Sequence, residues 1–119
     1  MQKKLLRNSE RSIQMKKYNV RIAEIALSDM EAIYAYISEK LHAPNAALSR
    51  YNRIADAIIS LESNPKRYKI MDSEPECFQG IRRVIVDNYS VFFIIDGENV
   101  DAIRELYSAS DIGKRLNER

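Results

Sequence analysis

Five consecutive apolar residues, Val91-Phe92-Phe93-Ile94-Ile95, lie between the turn-forming pairs Asp87-Asn88 and Asp96-Gly97. A run this short, and this rich in β-branched and aromatic side chains, reads as a strand. Successive side chains of a strand point to opposite faces, so both faces of this one are apolar and both need cover. The chain must therefore build a sheet that holds this strand inside it. Helices cover one face. Cover for the second is expected from the chain's own C-terminal segment or from a bound partner.

Strands are predicted on either side, over Ile81 to Val86 and Val100 to Tyr107, which with Tyr89 to Asp96 make an antiparallel meander. Asp87-Asn88 and Asp96-Gly97 tolerate the positive φ that tight hairpins require. Far upstream, Tyr18 to Glu24 alternates Tyr18, Val20 and Ile22 with polar residues, the pattern of a half-buried strand. Ser28 and Glu31 then form a capping-box pattern. Met30, Ile33, Tyr34, Ile37 and Leu41 follow at helical spacing. Leu41-His42-Ala43-Pro44 breaks this helix, and Pro44 suits the first turn of a second. Ala47, Leu48, Tyr51, Ile54, Ala55, Ile58 and Leu61 form the second apolar stripe, and Asn64-Pro65 ends it. So short a link predicts an antiparallel helical hairpin. Residues 66–79 show no period and read as a surface connection. Asp111 to Arg119 have room for a short helix capped by Ser110 or Asp111. The fold class is α+β, in the order β-α-α-β-β-β, with a helical hairpin on a small, mainly antiparallel sheet and a short C-terminal helix.

With 119 residues the chain has room for a single core. Lys3, Lys4, Arg7 and Arg11 against Glu10 give residues 1–14 a net charge of +3, so with +2 for the whole chain the remainder carries −1. Residues 1–14 are read as a disordered basic leader, with a nucleic-acid-contacting arm as the less favoured reading, and residues 15–119 as the domain. A near-neutral domain lacks the broad positive field of a strong, unaided nucleic-acid binder. No apolar run approaches the ~20 residues that span a bilayer, and Leu5-Leu6 is too little for a secretory core, so no membrane association is expected. One cysteine, Cys77, excludes an intramolecular disulfide and fits a cytoplasmic protein. One Cys and one His without ligand spacing suggest neither a metal site nor a cofactor.

The element order and several local sequences resemble the RelE/ParE toxin superfamily, in its ParE-like branch. Val20-Arg21-Ile22 leading into Leu27-Ser28-Asp29-Met30-Glu31-Ala32-Ile33-Tyr34-Ala35-Tyr36-Ile37 is similar to that family's first strand and helix. Ala46-Ala47, Ile54, Ala57-Ile58, Leu61 and Pro65 are similar to its second helix. Gly80-Ile81-Arg82-Arg83-Val84 and Asn88-Tyr89-Ser90-Val91-Phe92-Phe93-Ile94-Ile95-Asp96 resemble its central hairpin. The resemblance covers about residues 16–116. Two departures stand out. Ser90 occupies a position often taken by arginine, and Leu106-Tyr107-Ser108-Ala109-Ser110-Asp111 lacks the cations common after the last strand.

The resemblance implies the toxin of a type II toxin–antitoxin pair, a class that includes plasmid-stabilisation systems. One branch blocks DNA gyrase by binding and has no hydrolytic centre; this reading is preferred. Its alternative is a ribosome-dependent endoribonuclease that cuts mRNA, which needs a base, an acid and cations for the phosphate. Candidates for that chemistry are Arg82, Arg83, Arg104 and Tyr107. Arg82 and Arg83 are adjacent on a strand and point to opposite faces, with Arg83 beside Ile81 and Ile85, Arg82 beside Val84 and Val86, and Arg104 on the last strand beside them. A third reading is a weakened toxin that acts only through its antitoxin complex.

In every version the partner is a cognate antitoxin, and operator DNA is reached only through it. The residues assigned to partner binding are Phe92, Ile94, Tyr89, Tyr107, Lys114 and Arg115. The antitoxin is expected on the sheet face of Phe92 and Ile94 or on that of Val91 and Phe93. The bland readings are preferred elsewhere: His42 as an exposed turn residue, Tyr34, Tyr36 and Tyr51 as helix packing, and Lys66, Arg67 and Lys69 as a solvated loop.

Overall fold

The computed structural model describes residues 17–72 and 79–108. The leader, Cys77, Lys114, Arg115 and the expected C-terminal helix lie outside the described residues.

The chain opens with β1 (Asn19–Ile22), passes through Ala23 and enters α1 (Glu24–Ala35). A single wide turn, Tyr36–Lys40, prolongs α1, and α2 (Pro44–Ile59) runs back alongside it. Two tight turns, Ser60–Glu62 and Pro65–Arg67, lead away from the helices. The meander is β2 (Arg82–Val86), β3 (Tyr89–Asp96) and β4 (Asn99–Tyr107). The sheet order is β1-β4-β3-β2. β1 lies parallel to β4, whereas β2–β3 and β3–β4 are antiparallel, so the helical hairpin serves as the crossover between parallel strands. The expected α+β architecture is the one observed.

The first helix departs from the sequence expectation at its start. It begins at Glu24 rather than Ser28, Ala23 provides no side-chain cap, and Ser28 and Glu31 lie within the helix. The reason is tertiary. The Ala23 amide donates to the Ala102 carbonyl on β4 at 2.9 Å, and Leu27 N–H then closes the first turn on the Ala23 carbonyl at 3.0 Å. The chain thus turns off the sheet directly into helix, and Ala26 is buried by that turn. At the other end the wide turn closes with Leu41 N–H on the Tyr36 carbonyl, and His42 takes a positive φ of 52°. Leu41 thereby leaves the apolar stripe and is exposed, as is Leu48 on α2. The left-handed Asn64 and the buried Pro65 follow α2 where the sequence places its stop.

The two faces of β3 are separately filled. Met30, Ile54, Ile58 and Leu61 from the helical side pack on Val84, Val91, Phe93, Val100 and Ala102. The opposite face carries Phe92 with Ile81, Ile103 and Leu106, edged by Met71 and Ile94. Val91 and Phe93 therefore face the helices. Among the described residues Met71, from the connection that precedes β2, packs against the second face, while the C-terminal segment expected there lies outside the described residues. Met71 N–H bonds the Ile81 carbonyl at 2.8 Å, and Ile70 bridges Arg82, which lays this segment along the sheet.

One irregularity sets up the functional surface. Phe92 is paired with Arg104 but Phe93 with Ala102, so Ile103 is an extra residue in β4. Such a bulge re-aims the side chains that follow it. Ile103 and Leu106 join the second-face cluster, while Arg104 and Glu105 are brought to α1.

Candidate functional site

A cleft of about 630 Å³ opens between α1 and the adjoining ends of β3 and β4. Ala32, Ile33 and Leu106 form its apolar walls, and Tyr36, Tyr89 and Tyr107 also line it. Its polar floor is Asp29 and Glu105. Each part follows from local structure. Asp29, Ala32, Ile33 and Tyr36 fall at the three- and four-residue steps that share one side of a helix. Tyr89 and Tyr107 face each other across the β3–β4 ladder, with ring centroids 5.7 Å apart in an edge-to-face contact.

The charges on the floor are unequal in their partners. Arg104 grips Asp29 with two prongs, Nε to Oδ2 at 2.7 Å and Nη2 to Oδ1 at 2.9 Å. Asp29 Oδ2 also accepts the Glu105 amide at 3.0 Å. Glu105 is 3% exposed, and its carboxyl makes no hydrogen bond or ion pair with a described residue. Burial, reinforced by the Asp29 charge and opposed by Arg50, pushes its pKa up to about 7. Burial likewise raises the Tyr89 hydroxyl, against the pull of Arg50, whose guanidinium lies 5.2 Å from the Tyr89 ring centre.

The residues nominated from sequence are dispersed. Arg82 donates Nη1 to the Tyr68 carbonyl at 2.6 Å. Arg83 donates Nε to the Ser90 hydroxyl at 2.9 Å and lies 5.9 Å from the Phe92 ring centre. Arg104 is not beside these two as expected, because β3 intervenes between β2 and β4, and it is taken up by Asp29. Tyr107 and Tyr89 are brought together in the cleft. Phe92 and Ile94 are elsewhere, on the second face of the sheet, and Phe92 has no exposed surface at all, being buried under Ile81, Ile103 and Leu106. Ser90, the departure from the family pattern, is fully buried and links Arg83 to the Ser108 hydroxyl at 2.9 Å. His42 is exposed in the interhelix turn. Tyr34 and Tyr51 meet edge to face at 5.9 Å and pack the helical hairpin, whereas Tyr36 turns outward to the cleft. Arg67 is engaged by the Ser63 and Asn64 carbonyls and stacks on Tyr68 at 4.6 Å.

Sequence reasoning passed over Asp29 and Glu105, and assigned Tyr36 to helix packing rather than to the cleft. Strict alternation along the last strand cannot place Glu105, because the bulge at Ile103 changes the phase between Ala102 and Arg104. Among the described residues no three His, Cys, Asp or Glu side chains converge to hold a metal ion, and no helix is long and apolar enough to cross a membrane.

Comparison with solved structures shows the same fold in toxin–antitoxin systems. The chromosomal ParDE system of P. aeruginosa matches with a TM-score of 0.65 at 21% identity, over 77% of this chain and 97% of that one. The RelBE2 toxin–antitoxin complex of Mycobacterium tuberculosis matches with a TM-score of 0.53 at 19% identity, over 76% of this chain and 98% of that one. Comparison with curated proteins gives no significant sequence match. The family model of the ParE toxin of the type II parDE toxin–antitoxin system, however, matches residues 20–113. The chain belongs to the ParE toxin family of type II toxin–antitoxin systems.

Proposed function

We propose that this ParE-family toxin arrests growth by binding DNA gyrase, and that a cognate antitoxin neutralises it by docking on its surface. Family membership supports gyrase as the target. The observation that carries a binding mode over a hydrolytic one is the buried Arg104–Asp29 pair. Stabilising the charge on a phosphate in transit requires cations free to reach it. Arg104 is committed to Asp29, Arg82 to a carbonyl, and Arg83 to the other side of the sheet. What remains at the cleft among the described residues is an acidic, tyrosine-lined concavity, a surface suited to protein.

For the antitoxin, the second face of the sheet supports docking through Ile94 and the exposed Ile85 rather than through Phe92. Operator DNA is reached through the antitoxin, in keeping with the near-neutral charge outside residues 1–14. Induced expression in bacteria without antitoxin tests the target. The expected result is loss of negative supercoiling in a reporter plasmid while primer extension shows intact mRNA. Codon-phased mRNA cuts with normal plasmid topology would overturn the gyrase assignment.

A further inference from the structure

The molecule offers several unassigned features: the cleft over Glu105, a shallower concavity of about 240 Å³ between Arg83, Ile85 and Tyr107, and the outer edge of β2. Among the described residues, only the first contains a buried side chain whose polar group lacks a partner. We infer that the cleft is a receptor for one arginine side chain of a partner protein, seated among Tyr36, Tyr89 and Tyr107 with its guanidinium on Glu105. The inference rests on protein docking as the mode of action and is independent of which protein docks.

Four observations converge on this ligand chemistry. First, the cleft floor carries two carboxyls, Asp29 and Glu105, and only Asp29 is matched, by Arg104. A buried carboxyl without a partner is costly, and the cost is relieved by a cation brought to it. Second, nothing among the described residues fills that role. Arg50 is the other nearby cation, and its guanidinium is turned to Asp87 at 3.4 Å and to the ring of Tyr89. Third, the aromatic lining is that of a cation site. Tyr36 and Tyr107 are 54% and 50% exposed, so their rings are open to an incoming group. Ring faces attract a planar guanidinium, which also donates in a fork that matches a carboxylate. Lysine lacks that fork and is held more firmly by water. Fourth, the walls of Ala32, Ile33 and Leu106 match the aliphatic stem of arginine, so charge and apolar length are satisfied together.

Seating the guanidinium has a second consequence. A positive charge beside Glu105 favours its ionised form and draws its pKa down, so binding releases a proton where the free carboxyl is protonated. The groups that bear on this carboxyl are Asp29, which opposes ionisation, and Arg50, which assists it. Affinity should therefore rise with pH through the range near 7.

The test is a nuclear magnetic resonance titration of the full chain with N-acetyl-arginine amide, using N-acetyl-citrulline amide as the uncharged isostere. Saturable shifts of the Tyr36, Tyr89 and Tyr107 ring signals are expected with the arginine compound alone. Glu105→Gln should weaken them at least about tenfold, the scale of one lost charged contact. Should that variant fail to fold, the wild-type chain titrated at about pH 5.5 and about pH 8.5 gives the same discrimination, with tighter binding at the higher pH. Equal response to citrulline, no saturable response to arginine, or affinity indifferent to both Glu105→Gln and pH would each overturn the inference. None of these readouts depends on toxicity or on gyrase, so this site and the proposed target stand or fall separately.

Discussion

Arg104 on β4 and Asp29 on α1 are joined by two hydrogen bonds, at 2.7 and 2.9 Å, with side chains only 5% and 12% exposed. The pair locks the first helix to the sheet at the place where the β4 bulge has turned the strand toward it. It also draws in the Glu105 amide, which bonds Asp29 Oδ2. Three polar groups of the floor thus hold one another, and the fourth, the Glu105 carboxyl, is left over.

Removing one member of the pair should be costly out of proportion to its size. Asp29→Ala takes from a buried guanidinium the carboxylate that holds it by two hydrogen bonds, and a loss of about 3–5 kcal/mol in urea unfolding is expected. Replacing both members, as Asp29→Leu with Arg104→Met, removes the buried cation along with its carboxylate and should recover most of that loss. A double variant no more stable than Asp29→Ala would show that the pair acts through more than its charges.

The core makes a plainer case. Phe93 is fully buried between β2, β4 and α2, and Tyr68 meets it edge to face at 5.9 Å. Phe93→Ala should cost about 3–5 kcal/mol, the usual range for deleting a buried phenyl ring. Circular dichroism through a urea series measures it. A loss under about 1 kcal/mol would mean that the helical layer collapses readily onto the gap.

These two sites show where sequence suffices and where it does not. Phe93 was legible because a two-faced apolar run admits few arrangements, and the same logic gave the strand limits of the meander to within a residue. Ile54, Ile58 and Leu61 were legible from helical spacing, and all three are buried. The start of the first helix was not, since the Ala23–Ala102 hydrogen bond that fixes it joins residues far apart in the chain. The cleft was half legible. Tyr89 and Tyr107 stood out as partner residues, but their pairing with Tyr36, Asp29 and Glu105 depends on the bulge at Ile103, and a bulge leaves no mark in residue alternation. The burial of Phe92, expected as a docking residue, was not legible either, because Met71, which packs at its cluster, comes from an irregular stretch whose course has no periodic signal.

Asp87 combines two roles that substitutions can separate. It occupies the first position of the β2–β3 turn with φ of 55°, and its carboxylate accepts from Arg53, with Arg50 at 3.4 Å, tying the hairpin to α2. The ion pairs are at the surface, so Asp87→Asn, which tolerates the same backbone, should cost less than about 1 kcal/mol. Asp87→Val keeps neither role and adds a β-branched residue at positive φ, with an expected loss of about 1–3 kcal/mol. Thermal melts of the two variants compare them directly, and equal losses would assign the whole effect to the charges.

Docking of the antitoxin is tested on the second face. Ile85 is 60% exposed on β2 and belongs to neither core cluster of the described residues. Ile85→Asp is therefore expected to keep its stability within about 0.5 kcal/mol while weakening antitoxin binding at least about tenfold. Co-purification with the antitoxin followed by isothermal titration provides both numbers. Undiminished affinity would move the antitoxin to another surface.

Glu105 makes stability depend on pH in a direction opposite to that of an ordinary paired carboxylate. Its ordinary value is 4.5 and burial raises it to about 7, so the folded chain holds this proton more tightly than the unfolded chain does. Below about pH 4.5 both states are protonated and the group has no effect on their balance. As the pH rises, the unfolded state ionises first, and stability falls until the folded carboxyl also ionises near pH 7. Above that the loss is complete, at about 3 kcal/mol if each pKa unit is worth about 1.4. Glutamine has the same shape and no proton to lose. Glu105→Gln should therefore match the wild type at about pH 4 and exceed it by up to about 3 kcal/mol at about pH 8. The difference between their urea midpoints across this range isolates Glu105 together with its coupling to Asp29, because carboxylates remote from the cleft contribute equally to both curves. A difference that stays flat with pH would show that Glu105 titrates alike in the folded and unfolded chains, and that the floor of the cleft is wetter than its burial indicates.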